Sequence, residues 1–231
     1  MVYWCYILAT ALGALVVLYG LLEIHYFLRM CLCVFLARYI KKKSHILDTT
    51  KVTGVCLTND IDTLLYHMNN ARYLREIDFA RVDFYERTHL YRTILSKGGG
   101  VVQGATTIRY RRFIRPFSIF RLTSRIVYWD GQSIFMEHRF LSPRDDFIHC
   151  IAICRQRIIN CSVDEVMSQL LGGNLVANGG TSTDFHPSAR IGPDSLENGD
   201  VMTKLKPELP TEIAKWMEYN EISSKKLRSG C

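Results

Sequence analysis

The sequence predicts an α+β fold in which one long helix packs against an antiparallel sheet, preceded by a helix that crosses a membrane. Residues Val2–Leu22 form a run of 21 uncharged, mostly apolar side chains. A helical pattern of apolar residues runs from Asn69 towards Lys97, and several β-rich segments follow it. These segments do not alternate with helices as βαβ units do, which indicates α+β rather than α/β. With 231 residues, one core with appendages is expected.

The apolar run at the N-terminus is long enough for a helix to cross a hydrocarbon core of about 30 Å. Basic residues follow it at Arg29, Arg38 and Lys41–Lys43, and none precedes it. By the positive-inside tendency, the rest of the chain stays in the cytoplasm, and we expect a single-pass protein of the endoplasmic reticulum. Residues 1–43 are thus predicted to be a membrane anchor with a basic juxtamembrane segment, in which Tyr26–Ile40 is suited to lie along the membrane surface.

A cleaved signal peptide is the alternative for the same apolar run. It would make the protein a secreted one, and Asn160-Cys161-Ser162 would then offer a glycosylation sequon. Against this alternative, the flank after Leu22 is bulky and charged, where a signal peptide has a small-residue cleavage site.

Charge and cysteine content narrow the classes of partner. Of the net charge of +7, residues 1–50 carry five basic and two acidic side chains, or 5 − 2 = +3, which leaves 7 − 3 = +4 for the rest. A moderate, partly juxtamembrane excess suits anionic membrane lipid better than nucleic acid, which we do not expect as a partner. The eight cysteines form no CxxC pair. We therefore expect free thiols, no metal site and no cofactor.

The folded domain is expected at residues 50–171, beginning with a strand at Val52–Leu57. Asn69 or Asn70 is a good N-cap for the long helix, which should end before Lys97 because three glycines follow. Its apolar residues recur at helical spacing and predict a largely buried helix. The residues of this face are Tyr73, Ile77, Ala80 and Phe84, widened by Leu74 and Val82.

Four β-rich runs follow the helix. They are Val101–Ile114, Phe117–Trp129, Ser133–Leu141 and Phe147–Ile159, with Asp130-Gly131 as a hairpin signal between the second and third.

A capping box at Ser162 and Glu165 predicts a short helix that ends near Leu171, with Gly172 as its C′ residue. Residues 172–200 are poor in core residues and are predicted to be a flexible insertion. Residues 201–231 should hold a C-terminal helix whose apolar positions pack on the domain. These positions are Ile213, Trp216 and Met217.

Asp60–Arg81, with the sequence DIDTLLYHMNNARYLREIDFAR, resembles the active-site segment of hotdog-fold acyl-thioester hydrolases of the 4-hydroxybenzoyl-CoA thioesterase branch. Residues 207–224, PELPTEIAKWMEYNEISS, also look like the ending of members of this family. The resemblance implies a hotdog fold, in which the antiparallel sheet wraps around the long central helix. It also implies a carboxylate that attacks the thioester carbonyl or activates water, and a backbone N–H that binds the oxyanion.

By motif position, the resemblance places Asp62 as the catalytic carboxylate, with Asp60 as the second choice. Asn69 and Asn70 stand where the helix begins, and aligned N–H groups there favour a developing negative charge. His67 is placed to orient the carboxylate or a water. Turn formation for the aspartates, N-capping for the asparagines and simple hydrogen bonding for the histidine are the alternative roles.

Arg109, Arg111, Arg112 and Arg115 form the densest basic cluster of the domain, and two of them should share a strand face. Arg109, Arg111 and Arg112 are our candidates for binding coenzyme A phosphates, with solvated charge on an edge strand as the alternative.

Two functions remain open. One is a membrane-anchored hotdog protein, a homodimer as this fold usually is, which binds fatty acyl-CoA thioesters and hydrolyses them. The other is a non-catalytic hotdog module that binds acyl chains or protein partners at the membrane. The second stays open because four residues, TLLY, separate Asp62 from His67, whereas the common pattern has a shorter spacing and a glycine.

Overall fold

The computed structural model describes residues 2–22, 24–177 and 206–230. The helices are α1 (Val2–Leu22), α2 (Ile24–Phe35), α3 (Asn70–Thr88), α4 (Leu90–Ser96), α5 (Val163–Ala177) and α6 (Thr211–Ser229). The strands are β1 (Thr50–Val55), β2 (Gly100–Tyr110), β3 (Ile119–Trp129), β4 (Ser133–Leu141) and β5 (Ile148–Ile159).

The five strands form one sheet in the order β1-β3-β4-β5-β2, and every neighbouring pair is antiparallel. The predicted hairpin between β3 and β4 is confirmed. Asp130 Oδ1 accepts the N–H groups of Gln132 and Ser133 at 2.8 and 2.7 Å, which fixes the turn. The predicted α+β class and the antiparallel sheet are confirmed. The strand expected at Val101–Ile114, however, ends at Tyr110.

Helix α3 packs against the sheet, which gives the hotdog arrangement. The predicted apolar face of Tyr73, Ile77, Ala80 and Phe84 is buried, with exposed fractions of 2% or less. Burying a large apolar side chain contributes roughly 1.5–3 kcal/mol, so this row is a main source of stability. The expectation that Leu74 widens the same face was wrong, since its exposed fraction is 38%.

The helix does not run unbroken to Lys97 as predicted. His89 adopts a left-handed conformation with φ of 61°, so α3 ends at Thr88 and a separate short helix, α4, begins at Leu90. The glycines stop α4 as expected, and Gly98 has φ of +71°. A Cβ on Gly99 would lie 2.3 Å from Cys161 Sγ, so this position also permits the close approach of two segments.

The C-terminal part differs from expectation at one boundary. Helix α5 does not end near Leu171 but continues through Gly172 to Ala177. Most of the predicted insertion 172–200 lies outside the described residues, as do residues 201–205. The final helix, α6, contacts the domain. Ile213 is buried, and the ring of Trp216 meets that of Phe135 edge-on at 6.2 Å.

At the N-terminus, α1 and α2 are separate helices. Within residues 2–22, 24–177 and 206–230, no single helix meets the length and hydropathy expected of a membrane span, but the bent pair Tyr3–Tyr19 and Ile24–Ile40 meets it jointly, with 73° between the two. Helix α2 lies along α3 and continues as a wider helical turn at Leu36–Ile40. Arg29 and Glu76 form a two-point ion pair between them, with distances of 2.5 and 2.6 Å.

Candidate active site

The predicted site residues lie on one loop that leads into α3. The loop closes on itself through a two-strand bridge between Ile61 and Met68 and a hydrogen bond from the N–H of Asp62 to the carbonyl oxygen of His67, at 2.9 Å. Tethered in this way, the residues between Asp62 and His67 form a protruding tip. Its exposed apolar side chains include Leu64 and Leu65, each 73% exposed.

Asp60 has a structural role in this loop. Its side chain is nearly buried, and Oδ2 accepts the N–H of Leu57 at 3.0 Å. Its carbonyl oxygen accepts the N–H of Asn69 at 2.8 Å, and Arg72 Nε lies 3.9 Å from Oδ1. The Asp60 carboxylate therefore fixes the turn and ties it to the start of α3, which is the alternative role considered for it.

Asp62 is the more accessible of the two aspartates, with its side chain 14% exposed. Burial acts to raise its pKa, but the backbone N–H groups of His67, Leu64 and Tyr66 and the charge of His67 outweigh burial, so the pKa of Asp62 lies below its ordinary value. The N–H groups of Tyr66 and His67 lie at 3.4 and 3.5 Å from Oδ1. The carboxylate is thus ionised at neutral pH and held by its own loop.

Contacts of both ring nitrogens orient the His67 imidazole. Nδ1 lies 2.9 Å from the carbonyl oxygen of Met68, and Nε2 lies 3.8 Å from Asp62 Oδ2. Because a carbonyl only accepts, Nδ1 carries a proton, and Nε2 is the nitrogen that faces the carboxylate. The rings of Tyr66 and Phe113 flank the imidazole, with centroid distances of 4.5 and 5.7 Å. An aromatic wall therefore shields this side of the site.

Asn69 and Asn70 begin the helix as predicted. Asn69 is the N-cap, and its side chain accepts the N–H of Ala71 at 2.9 Å, while its carbonyl oxygen accepts that of Arg72 at 2.9 Å. These bonds occupy two of the first N–H groups. The N–H of Asn70 is the donor at this terminus for which the described part of the chain supplies no acceptor. It is available to a carbonyl oxygen placed at the helix start.

The arginine cluster is arranged differently from the prediction. Arg109 lies on β2, but Arg111 and Arg112 lie beyond its end, so Arg109 and Arg111 do not share a strand face. Arg112 is committed to a pair with Asp145, with distances of 3.0 and 3.2 Å, and its guanidinium stands 3.9 Å over the Phe147 ring. Hydrogen bonds from Ser142 and Arg112 lower the pKa of Asp145 to about 2.

An open groove of about 980 Å³ lies next to the loop, between the segment after β2 and the connection of β4 with β5. Phe113 lines it and also contacts the rings of His67 and Tyr66, so the groove and the site adjoin. Its basic side chains are Arg112, Arg115, Arg144 and His149.

Several residues of this region had not been selected from the sequence. Tyr110 Oη donates to the carbonyl oxygen of Asn70 at 3.1 Å, and Phe113 flanks the histidine. Arg144, on the connection of β4 with β5, and His149, at the start of β5, line the groove about 80 residues after the loop. No spacing rule links them to Asp62, so only the sheet topology brings them together.

The described part of the chain, residues 2–22, 24–177 and 206–230, contains no cluster of three histidine, cysteine or acidic side chains arranged to hold a metal ion. The groups that the site presents are a carboxylate, an imidazole and a helix N-terminus.

Comparison with known proteins places this arrangement in a family. The sequence profile of the Thioesterase-like superfamily matches residues 56–217. Protein THEM6 of Drosophila melanogaster is 36% identical over 217 residues, which cover 94% of this chain and 97% of that protein. Protein THEM6 of Xenopus laevis is 32% identical over 222 residues, 96% of this chain and 93% of that protein.

Among solved structures, the probable thioesterase YbaW from Escherichia coli covers 52% of this chain and 95% of its own, at 19% identity and a TM-score of 0.49. The relatives identify thioesterase superfamily member 6 as a protein to which this chain is similar, and with the matched profile they confirm the resemblance to thioesterases. The loop from Asp60, the site on α3 and strands β2 to β5 all fall within the matched range. The chain therefore belongs to the thioesterase-like superfamily.

Proposed function

We propose that this protein binds fatty acyl-CoA thioesters at the start of α3 and hydrolyses them with the carboxylate of Asp62. The observation that carries the proposal is the juxtaposition, on one short loop and the first residue of α3, of an ionised Asp62, the imidazole of His67 3.8 Å away and the unused N–H of Asn70. The carboxylate would attack the thioester carbonyl or activate water, and the Asn70 N–H would bind the oxygen that becomes negative.

The groove beside the loop supports coenzyme A as the thiol part of the ligand. Its side chains Arg115 and Arg144 offer the cationic hydrogen-bond donors that phosphate groups prefer. Arg112, a candidate from the sequence, also lines the groove. Its ion pair with Asp145 uses hydrogen-bond donors that a phosphate would otherwise take. Arg109 and Arg111 do not line this groove.

One observation favours the second candidate function, a non-catalytic module that binds acyl chains or protein partners. The Asp62 carboxylate is held by the N–H groups of its own loop, and its pKa is lowered. A carboxylate with a low pKa is a weaker general base at neutral pH.

An assay of the full chain in detergent micelles separates the two functions. Acyl-CoAs of graded chain length are supplied, loss of the thioester absorbance is followed, and binding is measured in parallel. We expect Asp62→Asn to lower the rate by at least about 100-fold with binding retained, and Asp164→Asn, at an exposed position of α5, to act as the matched control. Binding without turnover at every chain length in the wild-type protein would establish the non-catalytic module.

Asp60→Asn tests the assignment of roles within the loop. Because Asp60 ties the turn to α3, we expect this variant to lower the melting temperature, whereas Asp62→Asn should leave it nearly unchanged. A rate loss confined to Asp60→Asn, at unchanged stability, would make Asp60 the catalytic carboxylate.

We further propose that the chain is anchored in the endoplasmic reticulum membrane by α1, with the domain in the cytoplasm. Support comes from the apolar composition of α1 and from the basic residues that follow it. Protease protection of sealed microsomes tests this orientation. A glycan on Asn160 would instead place the domain on the luminal side or outside the cell.

The proposed homodimer is supported by strand β2, which is an edge of the sheet and exposes Val102 and Tyr110. Light scattering of the full chain in detergent, corrected for bound detergent, should give the mass of two copies. A monomer mass over the accessible concentration range would overturn this part of the proposal.

A further inference from the structure

We propose that α2 is a membrane-interface helix that also belongs to the folded domain. One of its faces is joined to α3, the opposite face lies in the lipid headgroup boundary, and the start of α3 is thereby held next to the bilayer. The inference deepens the proposed function and rests on it, because it requires α1 to enter the membrane. Its consequence is that the site takes long-chain acyl thioesters from the lipid surface.

The inner face of α2 and of the turn that follows it is ionic. Three nitrogen–oxygen pairs with distances of 2.5, 3.0 and 2.5 Å join it to α3, namely Arg29 with Glu76, Arg38 with Glu86 and Lys41 with Asp83. The three acidic side chains are exposed by 6% or less. Charges that are withdrawn from water and paired in this way specify the register of two elements. The inner face therefore fixes α2 on the domain.

Aromatic contacts complete the inner face. The ring of Tyr26 meets that of Phe79 at 5.1 Å, and the Arg29 guanidinium stands 4.1 Å over the same Phe79 ring. Cys33 Sγ donates to the carbonyl oxygen of Phe79 at 3.3 Å, and Ala37 is fully buried. Docking thus extends from Tyr26 in the first turn of α2 to Ala37 in the helical turn that follows it.

The outer face of α2 and of the turn that follows it is apolar and exposed. Its large side chains are between 52% and 70% exposed, and they are Phe27, Leu28, Leu32, Phe35, Tyr39 and Ile40. Most of them recur at intervals of three to five residues, so they form one stripe, which we call the outer stripe. A helix in water normally directs such a stripe to the core and its charges to solvent. In this protein the polar face of α2 forms ion pairs with α3, and the outer stripe points away from the domain.

The lipid bilayer is the occupant that fits the outer stripe. The stripe continues from α1, whose large side chains are exposed along its length, from Tyr3 at 84% to Tyr19 at 55%. The 73° bend places α2 within 90° − 73° = 17° of the membrane plane if α1 follows the normal. A helix with an apolar stripe in that position is typical of a membrane interface. Lys42 is exposed just beyond the stripe, where anionic headgroups would lie.

The direction in which α2 runs determines which end of the domain lies near the point where the chain enters the membrane. Arg29 pairs with Glu76 and Arg38 with Glu86, so the two helices run parallel. The Arg75 guanidinium stands 4.3 Å over the ring of Tyr26, near the start of α2. Arg75 is five residues after Asn70, or about 8 Å along the helix axis. The end of α1 and the candidate active site are therefore at the same end of α3.

Spin labels on the full chain in phosphatidylcholine–phosphatidylserine vesicles test the interface. One label at a time is attached at Leu28→Cys, Leu32→Cys or Phe35→Cys, with Ala11→Cys in α1 and Lys51→Cys on β1 as references. In these proteins the background cysteines replaced by serine are Cys5, Cys31, Cys33, Cys161 and Cys231.

We expect oxygen to relax the labels of the outer stripe more than a water-soluble nickel chelate does, as at Ala11, and the reverse at Lys51. If the labels of the outer stripe respond as the label at Lys51 does while the label at Ala11 lies in lipid, α2 is not at the membrane interface. The proposed anchoring by α1 would then still hold. If Ala11 also lies in water, the proposed anchoring itself fails. Strong dipolar coupling between the Leu32 labels of two copies, with access to neither reagent, would assign the stripe to a second copy and overturn the inference.

A kinetic arm tests the consequence for substrate. In Leu32→Arg/Phe35→Arg, charge enters the outer stripe away from the site, so we expect KM for long-chain acyl-CoA in vesicles to rise several-fold. KM for a short-chain, water-soluble acyl-CoA should stay unchanged, which shows that the fold is intact. Equal KM values for the long chain in variant and wild type would contradict delivery from the lipid surface. Absence of turnover with every substrate would count against hydrolysis, while the label positions would still decide the interface.

Discussion

The backbone N–H of Leu65 donates to the carbonyl oxygen of Asp62 at 3.0 Å, and Leu65 makes this turn in a left-handed conformation with φ of 58°. A leucine pays a steric cost there that a glycine does not. The loop that presents the candidate catalytic carboxylate is therefore closed by a strained residue. The missing glycine in this segment, noted from the sequence, thus corresponds to a definite feature of the backbone.

Leu65→Gly should stabilise the protein by up to about 1 kcal/mol, because relief of the left-handed strain exceeds the entropy cost of glycine. For a chain of this size, that change raises the melting temperature by about 2–4 °C. Leu64→Gly is the matched control, since Leu64 is equally exposed at 73% but has no positive φ. It should destabilise by about 0.5–1 kcal/mol. Thermal unfolding in detergent that gives the two variants the same shift would refute the strain.

Sequence patterns predicted the sheet better than the helices, for a physical reason. Strand alternation and the Asp130-Gly131 turn are local signals, and β3 to β5 appear within two residues of their predicted starts. The break at His89 has no local signal, because its φ of 61° needs neither glycine nor proline in the sequence. Only the packing of α4 against its neighbours offsets the energetic cost of that conformation.

The candidate site shows the same difference between what local signals predict and what only tertiary packing determines. Asp62, His67 and Asn70 could be selected because they follow one another in a short motif. Arg144 and His149 could not, because the sheet brings them to the groove from a distant part of the sequence, at the β4–β5 connection and the start of β5. The docking of α2 was also missed, since Glu76 and its acidic neighbours on α3 look like a solvated helix face until their partners are known.

Gly54→Ala should destabilise the protein by about 1–3 kcal/mol through overpacking. A Cβ at this position of β1 would lie 2.4 Å from Cζ of Phe120, whose side chain is buried, and 3.2 Å from Oε2 of Glu76. Gly100→Ala on β2 is the control, because its added Cβ meets nothing within 4 Å. Chemical denaturation should show the loss only for Gly54→Ala. An equal effect of the two variants would mean that Phe120 moves freely.

Arg29→Met should destabilise the domain by about 2 kcal/mol, because it leaves the carboxylate of Glu76 without its cationic donor in a site exposed by only 4%. The double variant Arg29→Met/Glu76→Gln should recover part of this loss, since it removes the stranded charge as well. Unfolding free energies of the wild type, both single variants and the double variant form the cycle that measures the coupling. Additive losses would show that α2 is not held by this pair.

Acidification should weaken the docking of α2 through Glu86. The hydrogen bond from Arg38 lowers the pKa of Glu86 against the effect of burial, with help from the charges of Arg92 and Lys43. A carboxyl whose folded pKa is lowered stabilises the fold above its unfolded pKa, and this contribution is lost as the pH falls through the folded value. Between about pH 6 and pH 3, melting temperatures should therefore fall less for Glu86→Gln than for the wild type.

Glu76 should behave in the opposite way and provides the control. Burial raises the pKa of Glu76 in spite of its pairing with Arg29, so its contribution to stability is present below the unfolded pKa and is lost as the pH rises. Glu76→Gln removes a group that opposes acid denaturation, so its melting temperature should fall more steeply than that of the wild type over the same range. If both variants change the pH dependence of the melting temperature in the same direction, the pKa values of Glu76 and Glu86 are not shifted in opposite directions, and the prediction is wrong.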